Sequence, residues 1–136
     1  MTKPNSTQLK HSREVLKKQP YLKELRKQLI SYGGNLVCDW NNTNETEVIM
    51  LKKMGMLWST KGIKNWKKET NHCHDNSELI EKNNPKRYKW ITGFALSEGL
   101  WIPHSWLWDM KNGNILETTF IQQKYFGYPY PRKDNV

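Results

Sequence analysis

The order of apolar and polar residues divides the chain into a helical first part and a strand-rich last part. From Ser12 to Tyr32, apolar residues recur every three or four positions, with lysine and arginine between them. This spacing is typical of an amphipathic helix that turns one apolar face to a core. Pro20 interrupts the stretch, so we predict two helices, the second of which ends at Gly33-Gly34. Residues 1–11 are polar, and we expect them to be frayed.

Weaker signals follow in the middle of the chain. Residues 48–58 are apolar enough for a short helix or a strand, and their pattern leaves both open. Residues 61–68 hold four lysines and one tryptophan, which predicts a basic loop but only a weak RNA-binding patch. A third helix is predicted from near Cys73 to about Glu81, with Leu79 and Ile80 facing inward, before an Asn-Asn-Pro sequence stops it.

The period then changes from helical to alternating, which indicates strands. Three strands are predicted, at residues 88–96, 100–108 and 115–120. A turn at 97–99 joins the first two, and the Asn-Gly pair at 112–113 is a strong hairpin signal between the second and third. We expect the aromatic tail at 125–130 to pack across the sheet. Helices followed by an antiparallel sheet define an α+β fold.

Length and composition fit a single domain over residues 1–136, with a helical part at 12–69 and a core at 70–130. Hydrophobic residues make up only 36% of the chain, but 12% is aromatic, including seven tryptophans, which argues against disorder. No run approaches the roughly 18 apolar residues of a membrane span. Residues 1–5 also lack the apolar stretch of a signal peptide. We therefore expect a cytoplasmic protein.

The formal charge of +9 raises the question of an anionic partner. It comes mainly from lysine, because arginine occurs only four times, and arginine is the residue suited to bidentate contacts with phosphate or guanine. The charge is compatible with nucleic acid, with an acidic protein partner or substrate, and with an ordinary lysine-rich surface. The basic stretch at residues 12–32 is also compatible with a membrane-surface helix, although core packing explains its apolar face.

The two cysteines differ in their surroundings. Cys38 lies in a short apolar run after the double glycine, as expected of a small buried side chain. Cys73 is flanked by polar residues and opens the third predicted helix, where unpaired N–H groups and the helix dipole favour a thiolate. Thr70 and Asn71 are the expected caps of that helix. Because we expect a reducing compartment, we predict no disulfide.

A thiol nucleophile also needs a base and a group that orients the base. His104, on the second predicted strand, is the candidate base, and Glu117, on the third, is the candidate orienting group. A two-residue turn at Asn112-Gly113 would pair Trp108 with Glu117 and leave His104 roughly 13 Å away along the strand. A longer loop starting near Asp109, or a bulge, would bring the two side chains together. The competitors for the orienting role are Thr118, Thr119 and Asp109.

Four short motifs follow one another in the second half of the chain: Cys-His-Asp-Asn at 73–76, His-Ser-Trp at 104–106, Glu-Thr-Thr at 117–119 and Tyr-Phe-Gly at 125–127. Their order resembles the papain-like cysteine enzymes of the NlpC/P60 and transglutaminase-like type, including small bacterial and phage proteins. The resemblance covers about residues 70–130. It departs from the family pattern at Ser105, where a small apolar residue is expected, and at Glu117-Thr118, where Asp-Pro is expected.

The resemblance implies a papain-like core and acyl transfer at an amide, isopeptide or thioester bond. Cys73 would attack a carbonyl carbon, His104 would transfer the proton, and Glu117 would hold the imidazole. The substrate would be a peptide, an isopeptide or another acyl compound, and no cofactor is implied. The candidate oxyanion and substrate-binding residues are Asn71, Asn76 and Trp106.

Two other interpretations were weighed against this one. A non-catalytic basic protein, such as a phage accessory or counter-defence protein, would dock on nucleic acid or on an acidic partner without using the thiol. A zinc site around Cys73 and its flanking histidines is disfavoured, because neighbouring side chains diverge at a helix start and no Cys-x-x-Cys motif exists, so we predict no metal. Neither the substrate nor the oligomeric state is specified by the sequence.

Overall fold

The computed structural model describes residues 21–38, 45–68 and 72–131, which form three helices and seven strands. The helices are α1 (Tyr21–Tyr32), α2 (Glu45–Met54) and α3 (Cys73–Asn83). The strands are β1 (Leu36–Val37), β2 (Met56–Trp58), β3 (Lys64–Asn65), β4 (Tyr88–Ser97), β5 (Leu100–Asp109), β6 (Asn114–Glu117) and β7 (Lys124–Pro129). The fold is α+β, as the residue pattern predicts.

One mostly antiparallel sheet contains all seven strands. Its order is β2-β7-β4-β5-β6-β3, and β1 pairs with β5 beside this path. The two longest strands, β4 and β5, pair along their whole length, and their turn at Glu98 and Gly99 has positive φ angles of 47° and 84°. The two short strands β1 and β3 pair in parallel, with β5 and β6 respectively. Helix α3 packs on β4 and β5, and α2 packs on β7.

Helix α1 buries the apolar stripe that the sequence predicts. Its buried leucines are Leu22, Leu25 and Leu29. They form one core cluster with Phe94, Trp101 and Phe126 of the sheet. The helix ends at the double glycine, where Gly33 and Gly34 adopt φ angles of 141° and 79° that other residues rarely adopt. Cys38, which follows β1, is buried as predicted.

Residues 48–58, for which the pattern left two structures open, belong to a helix followed by a strand. Gly55 lies at the junction, and its N–H donates to the Leu51 carbonyl. A Cβ atom at Gly55 would overlap that carbonyl and the Phe126 ring. Glycine therefore lets the chain turn directly from α2 into the edge strand β2.

Several sequence predictions need correction. Leu79 does not face inward but is 58% exposed, because α3 contacts the sheet through a narrow face that contains Ser77, Ile80 and Glu81. The aromatic tail does not pack across the sheet; it forms β7, between β2 and β4. The basic loop at 61–68 contains the edge strand β3, and the third predicted strand ends at Glu117 rather than at residue 120.

The middle of β5 leaves room for the start of α3. On the side of β5 away from β4, β1 pairs with Leu100 and Trp101, and β6 pairs with residues 107–109. Residues 102–106 lie between these two short pairings. The first turn of α3 reaches this gap, where the backbone of Ser105 is hydrogen-bonded to the Cys73 thiol.

Some predictions lie outside the described residues. These are the frayed residues 1–11, the helix before Pro20 and the caps Thr70 and Asn71. Within the part of the chain that the structure describes, no helix is long and apolar enough to cross a membrane.

Candidate active site

Cys73 is the first residue of α3, and its partly buried thiol lies on the wall of a cleft. His72 occupies the N-cap position, and its side chain makes no capping hydrogen bond. The first turn is held by Asn76 instead. The backbone N–H of Asn76 donates to the His72 carbonyl at 2.8 Å, and its side-chain amide donates to the Thr118 hydroxyl at 3.3 Å. Asn76 thus fixes the helix start against the chain that follows β6.

His104 lies between the thiol and a carboxylate. Its side chain is hydrogen-bonded to Cys73, and its Nε2 atom lies 3.0 and 2.9 Å from the two carboxylate oxygens of Glu117. Because Nε2 faces the carboxylate, Nδ1 is the ring nitrogen that remains for the thiol. The ring is only 7% exposed, so its orientation is fixed by these contacts and by the surrounding core.

Glu117 is fully buried and holds its charge through a set of donors. Besides His104, its carboxylate accepts a hydrogen bond from the Tyr125 hydroxyl at 2.6 Å. It also accepts hydrogen bonds from the backbone N–H and the hydroxyl of Thr119, at 3.2 and 3.1 Å. A buried carboxylate is costly unless it is paired and hydrogen-bonded, and these contacts meet that requirement.

The strand register explains why His104 and Glu117 meet. β5 and β6 are joined by a four-residue loop, with Asp109 paired to Asn114 and Trp108 paired to Ile115. The predicted two-residue turn, with Trp108 opposite Glu117, is therefore wrong, and the longer loop starting near Asp109 is present. Continued at this register, Glu117 comes opposite Trp106, two residues from His104 on the same face, within reach of its side chain.

The competitors of Glu117 have other partners. Asp109 forms an ion pair with Arg87, at 3.0 Å, and accepts hydrogen bonds from the hairpin loop. Thr118 accepts a hydrogen bond from Asn76, and Thr119 donates to Glu117. Among the described residues, Glu117 is the carboxylate in contact with the His104 ring.

Burial and charge act in opposite directions on the pair formed by Cys73 and His104. Burial raises the pKa of the Cys73 thiol, but the hydrogen bond and positive charge of His104, helped by the Ser105 backbone, outweigh it and hold the pKa below its ordinary value. Burial lowers the pKa of His104, but its hydrogen bonds to Cys73 and Glu117 and their negative charges raise it to about 9. Both shifts favour a thiolate beside an imidazolium near neutral pH.

The cleft beside the thiol has a volume of about 280 Å³. Its walls come from several elements, because Glu47 and Leu51 of α2 and Tyr128 of β7 line it together with Cys73 and His104. This volume is just below the range of about 300–1,000 Å³ that is usual for small-molecule sites. Cys73 and His104 therefore face the same small cleft.

A second histidine in the cleft, His74, was considered in the sequence only as a metal ligand. Its Nδ1 atom is 3.1 Å from the Ser105 hydroxyl, which lies 3.2 Å from the Thr92 hydroxyl. The ring packs edge-on against Trp90, with 4.3 Å between centroids, and burial lowers its pKa. These polar groups line the cleft on the α3 side, and no spacing in the sequence pointed to them.

The structure places the other predicted binding residues differently. Asn71 lies outside the described residues. Asn76 supports the helix start rather than the cleft wall. Trp106, predicted to bind substrate, is fully buried and contacts the Tyr125 ring at 4.9 Å. It is a core residue, packed in a cluster with Ile91, Ile115 and Tyr125. Tyr125 lies in the Tyr-Phe-Gly motif, but the sequence predicts no site role for it; its hydroxyl donates to Glu117.

Within the described residues, no group of three or more His, Cys, Asp or Glu side chains is arranged to hold a metal ion. No family model, no curated protein and no solved structure matches the chain. A functional assignment therefore has to start from the geometry of the site.

Proposed function

We propose that this protein is a thiol-dependent hydrolase or acyltransferase with a papain-like core, acting on an amide, isopeptide or thioester bond. One observation carries the proposal: a buried histidine is hydrogen-bonded to Cys73 on one side and to Glu117 on the other, at the wall of an open cleft. Such a nucleophile, base and orienting group are the parts that covalent acyl transfer requires. The order of elements also supports the proposal, because a helix that begins at Cys73 is followed by strands that carry His104 and Glu117.

In the first step, the Cys73 thiolate attacks the carbonyl carbon of the substrate and forms a carbon–sulfur bond. The imidazolium of His104 gives its proton to the leaving amine or thiol as the bond to the carbonyl carbon breaks. The products of this step are an acyl-thioester on Cys73, a neutral imidazole and the released leaving group.

In the second step, His104 acts as a base. Its neutral imidazole takes a proton from water or from an acceptor amine, which attacks the thioester carbonyl and releases the Cys73 thiolate. Hydrolysis and transfer differ only in whether water or an amine enters the cleft. The imidazolium is regenerated in either case, so the site returns to its starting charge.

Two features stabilise the charges that develop in these steps. Glu117 accepts from Nε2 and so keeps the imidazole in the orientation and tautomer that direct Nδ1 to the sulfur. The backbone N–H groups at the start of α3 lie where unpaired donors and the helix dipole favour negative charge. They are the natural donors to the oxyanion of the tetrahedral intermediate.

Acyl-enzyme formation tests the proposal directly. The purified protein is mixed with a panel of aryl thioesters, and intact-mass spectrometry followed by peptide mapping locates the adduct. We expect acylation on Cys73, none in Cys73→Ala, and normal acylation in the matched control Cys38→Ala. His104→Asn should slow acylation by roughly a hundredfold or more. Equal acylation of both cysteines, or an unchanged rate in His104→Asn, would contradict the proposed function.

A further inference from the structure

The segment 64–68, which we call the basic edge, forms the outer boundary of the sheet at β3. Its pairing with β6 places Lys64 opposite Leu116 and Asn65 opposite Glu117. Farther along, the Trp66 and Lys68 backbone N–H groups donate to the chain of β6 and the residue after it. Since peptide groups alternate in direction along an extended chain, those of Asn65 and Lys67 point away from the sheet.

Lysines of the basic edge cover exposed aromatic rings on both faces of the sheet. The Lys68 ammonium lies 4.0 Å from the Trp66 ring centroid, and the Lys67 ammonium lies 4.9 Å from that of Phe120. Lys67 and Lys68 are neighbours in an extended segment, so the two pairs occur on opposite faces. Trp66 is 47% exposed and Phe120 is 56% exposed. Among the described residues, no carboxylate forms an ion pair with the lysines of this edge.

The basic edge adjoins the candidate active site. The Lys68 N–H donates to the Thr118 carbonyl, and the Thr118 hydroxyl accepts from Asn76 in the first turn of α3. The backbone carbonyl of Glu117 accepts from Trp66 at 2.8 Å. β3 is two strands from β5, a distance of roughly 10 Å, which about three extended residues span.

We propose that the basic edge binds an acidic polypeptide segment in extended conformation, which adds to β3 as a further strand. Main-chain hydrogen bonds to Asn65 and Lys67 would hold the segment. Its side chains alternate between the two faces, so acidic side chains on either face meet a lysine. The role of this contact in presenting a substrate to Cys73 rests on the proposed function, but the binding itself does not.

Other occupants fit these features less well. Nucleic acid binds through phosphate charges and stacking rings, whereas each ring here already contacts a lysine, and an outward-facing peptide backbone gives nucleic acid no advantage. A second copy of the chain would bring a formal charge of +9 against the same lysines. Lysines on an edge strand can also serve only to prevent pairing with other chains. A direct binding measurement distinguishes that role from the proposed one.

Fluorescence anisotropy with the full-length Cys73→Ala protein separates these cases. The probe is a fluorescein-labelled decapeptide of alternating Glu and Thr. A second probe has the same sequence with alternate backbone nitrogens methylated, and a third is a labelled twelve-residue oligothymidylate. Lys67→Glu/Lys68→Glu is compared with Lys23→Glu/Lys53→Glu, which makes the same charge change at exposed positions of α1 and α2.

We expect the acidic peptide to bind, and Lys67→Glu/Lys68→Glu to weaken binding by roughly tenfold while the control pair changes it little. Methylation of the backbone should also weaken binding, because it removes strand pairing and leaves the charges. Equal loss in both lysine pairs, unaltered binding of the methylated peptide, or tighter binding of the oligothymidylate would each overturn the proposal. Because the assay uses the Cys73→Ala variant, which has no thiol at the candidate site, none of these results depends on the thiol chemistry.

Discussion

Tyr125 shows how a single buried hydroxyl supports the carboxylate of the candidate site. It donates to Glu117 at 2.6 Å and accepts from the Gln122 N–H at 2.8 Å. Burial and the neighbouring Glu117 charge raise its pKa, so the hydroxyl is protonated and acts as a donor near neutral pH. Tyr125 therefore acts through Glu117, whose carboxylate orients His104, and is a positioning residue.

Removal of the Tyr125 hydroxyl should destabilise the protein more than removal of the hydroxyl of another tyrosine. Tyr125→Phe is expected to lower the free energy of unfolding by about 2 kcal/mol, because a buried carboxylate loses a charge-assisted hydrogen bond. It should also lower the His104 pKa, measured by NMR titration, because the Glu117 carboxylate is then held less firmly against Nε2, and its hydrogen bond and charge raise the His104 pKa less. The matched control is Tyr32→Phe, whose hydroxyl accepts from Gln28 at 3.1 Å. Equal effects of the two changes would contradict the role of Tyr125.

At the scale of single residues, the sequence predicts which residues form the candidate site better than it predicts the contacts between them. Cys73, His104 and Glu117 were selected by residue type, order and a family resemblance. The contact between His104 and Glu117 was left open, since it depends on a loop length that one Asn-Gly pair does not specify. Tyr125 belongs to the Tyr-Phe-Gly motif of the resemblance, but the motif does not predict its contact with Glu117, because an aromatic residue in an aromatic tail looks like any core residue.

Pairing between β4 and β7 depends on two glycines that face each other. Gly93 lies opposite Gly127, and a Cβ at Gly93 would overlap the Phe126 carbonyl and come within 2.6 Å of the Gly127 Cα. The two strands thus approach too closely for any side chain. Since Gly93 also lines the cleft, this close approach sets the position of the strand pair beside His104.

Gly93→Ala should separate these strands. We expect it to lower the free energy of unfolding by about 3 kcal/mol. The control is Gly113→Ala, where φ is 68° but nothing lies within 4 Å of the added Cβ, so its cost should be about 1 kcal/mol. Urea unfolding measures both. A smaller effect at Gly93 than at Gly113 would contradict the close approach of β4 and β7 at Gly93.

Element prediction succeeded where the pattern was long and failed where pairing was non-local. The alternation at 88–96 and the leucine stripe of α1 extend over whole elements, and both were recognised. β1 and β3 have two residues each, too few for a period, and their parallel partners are far away in sequence. The Asn-Gly pair leaves the hairpin register open between a two-residue turn and a longer loop. Asp109 accepts hydrogen bonds from Lys111 and Asn112, which favours the four-residue loop.

At the scale of the whole molecule, the candidate active site and the basic edge lie at different strands of one sheet. The fold places the candidate thiol chemistry in a gap beside β5, while lysines of the basic edge lie at the outer boundary of the same sheet. The overall charge of +9 gave no location for either. The positions of the candidate active site and of the basic edge follow from the strand order, which composition does not predict.

Stability as a function of pH tests the thiolate–imidazolium pair in the intact protein. Folded His104 keeps its proton up to about pH 9, whereas an unfolded histidine releases it near 6.5, so this group stabilises the fold below 6.5 and loses that effect as pH rises to 9. Cys73 acts oppositely. Its folded pKa is below the ordinary value of 9.0, so its stabilising effect increases with pH and is complete above 9.

The two contributions should therefore cancel between pH 6.5 and 9 over the range in which the folded thiol is ionised. We expect the free energy of unfolding, measured in urea, to be nearly independent of pH there. A decrease of about 1.4 kcal/mol per pH unit would indicate a charged His104 without a thiolate, and an increase of that size would indicate the reverse.

The most direct test of the account is the pH dependence of Cys73 alkylation by iodoacetamide, followed by mass spectrometry with Cys38 as the internal reference. A thiolate paired with His104 should reach its plateau rate at lower pH than a free thiol does, and His104→Asn should move the rise of the rate to higher pH. If Cys73 of the unaltered protein instead reacts as a free thiol, with a rate that increases through about pH 8.5, the pair does not exist and the proposed function is wrong.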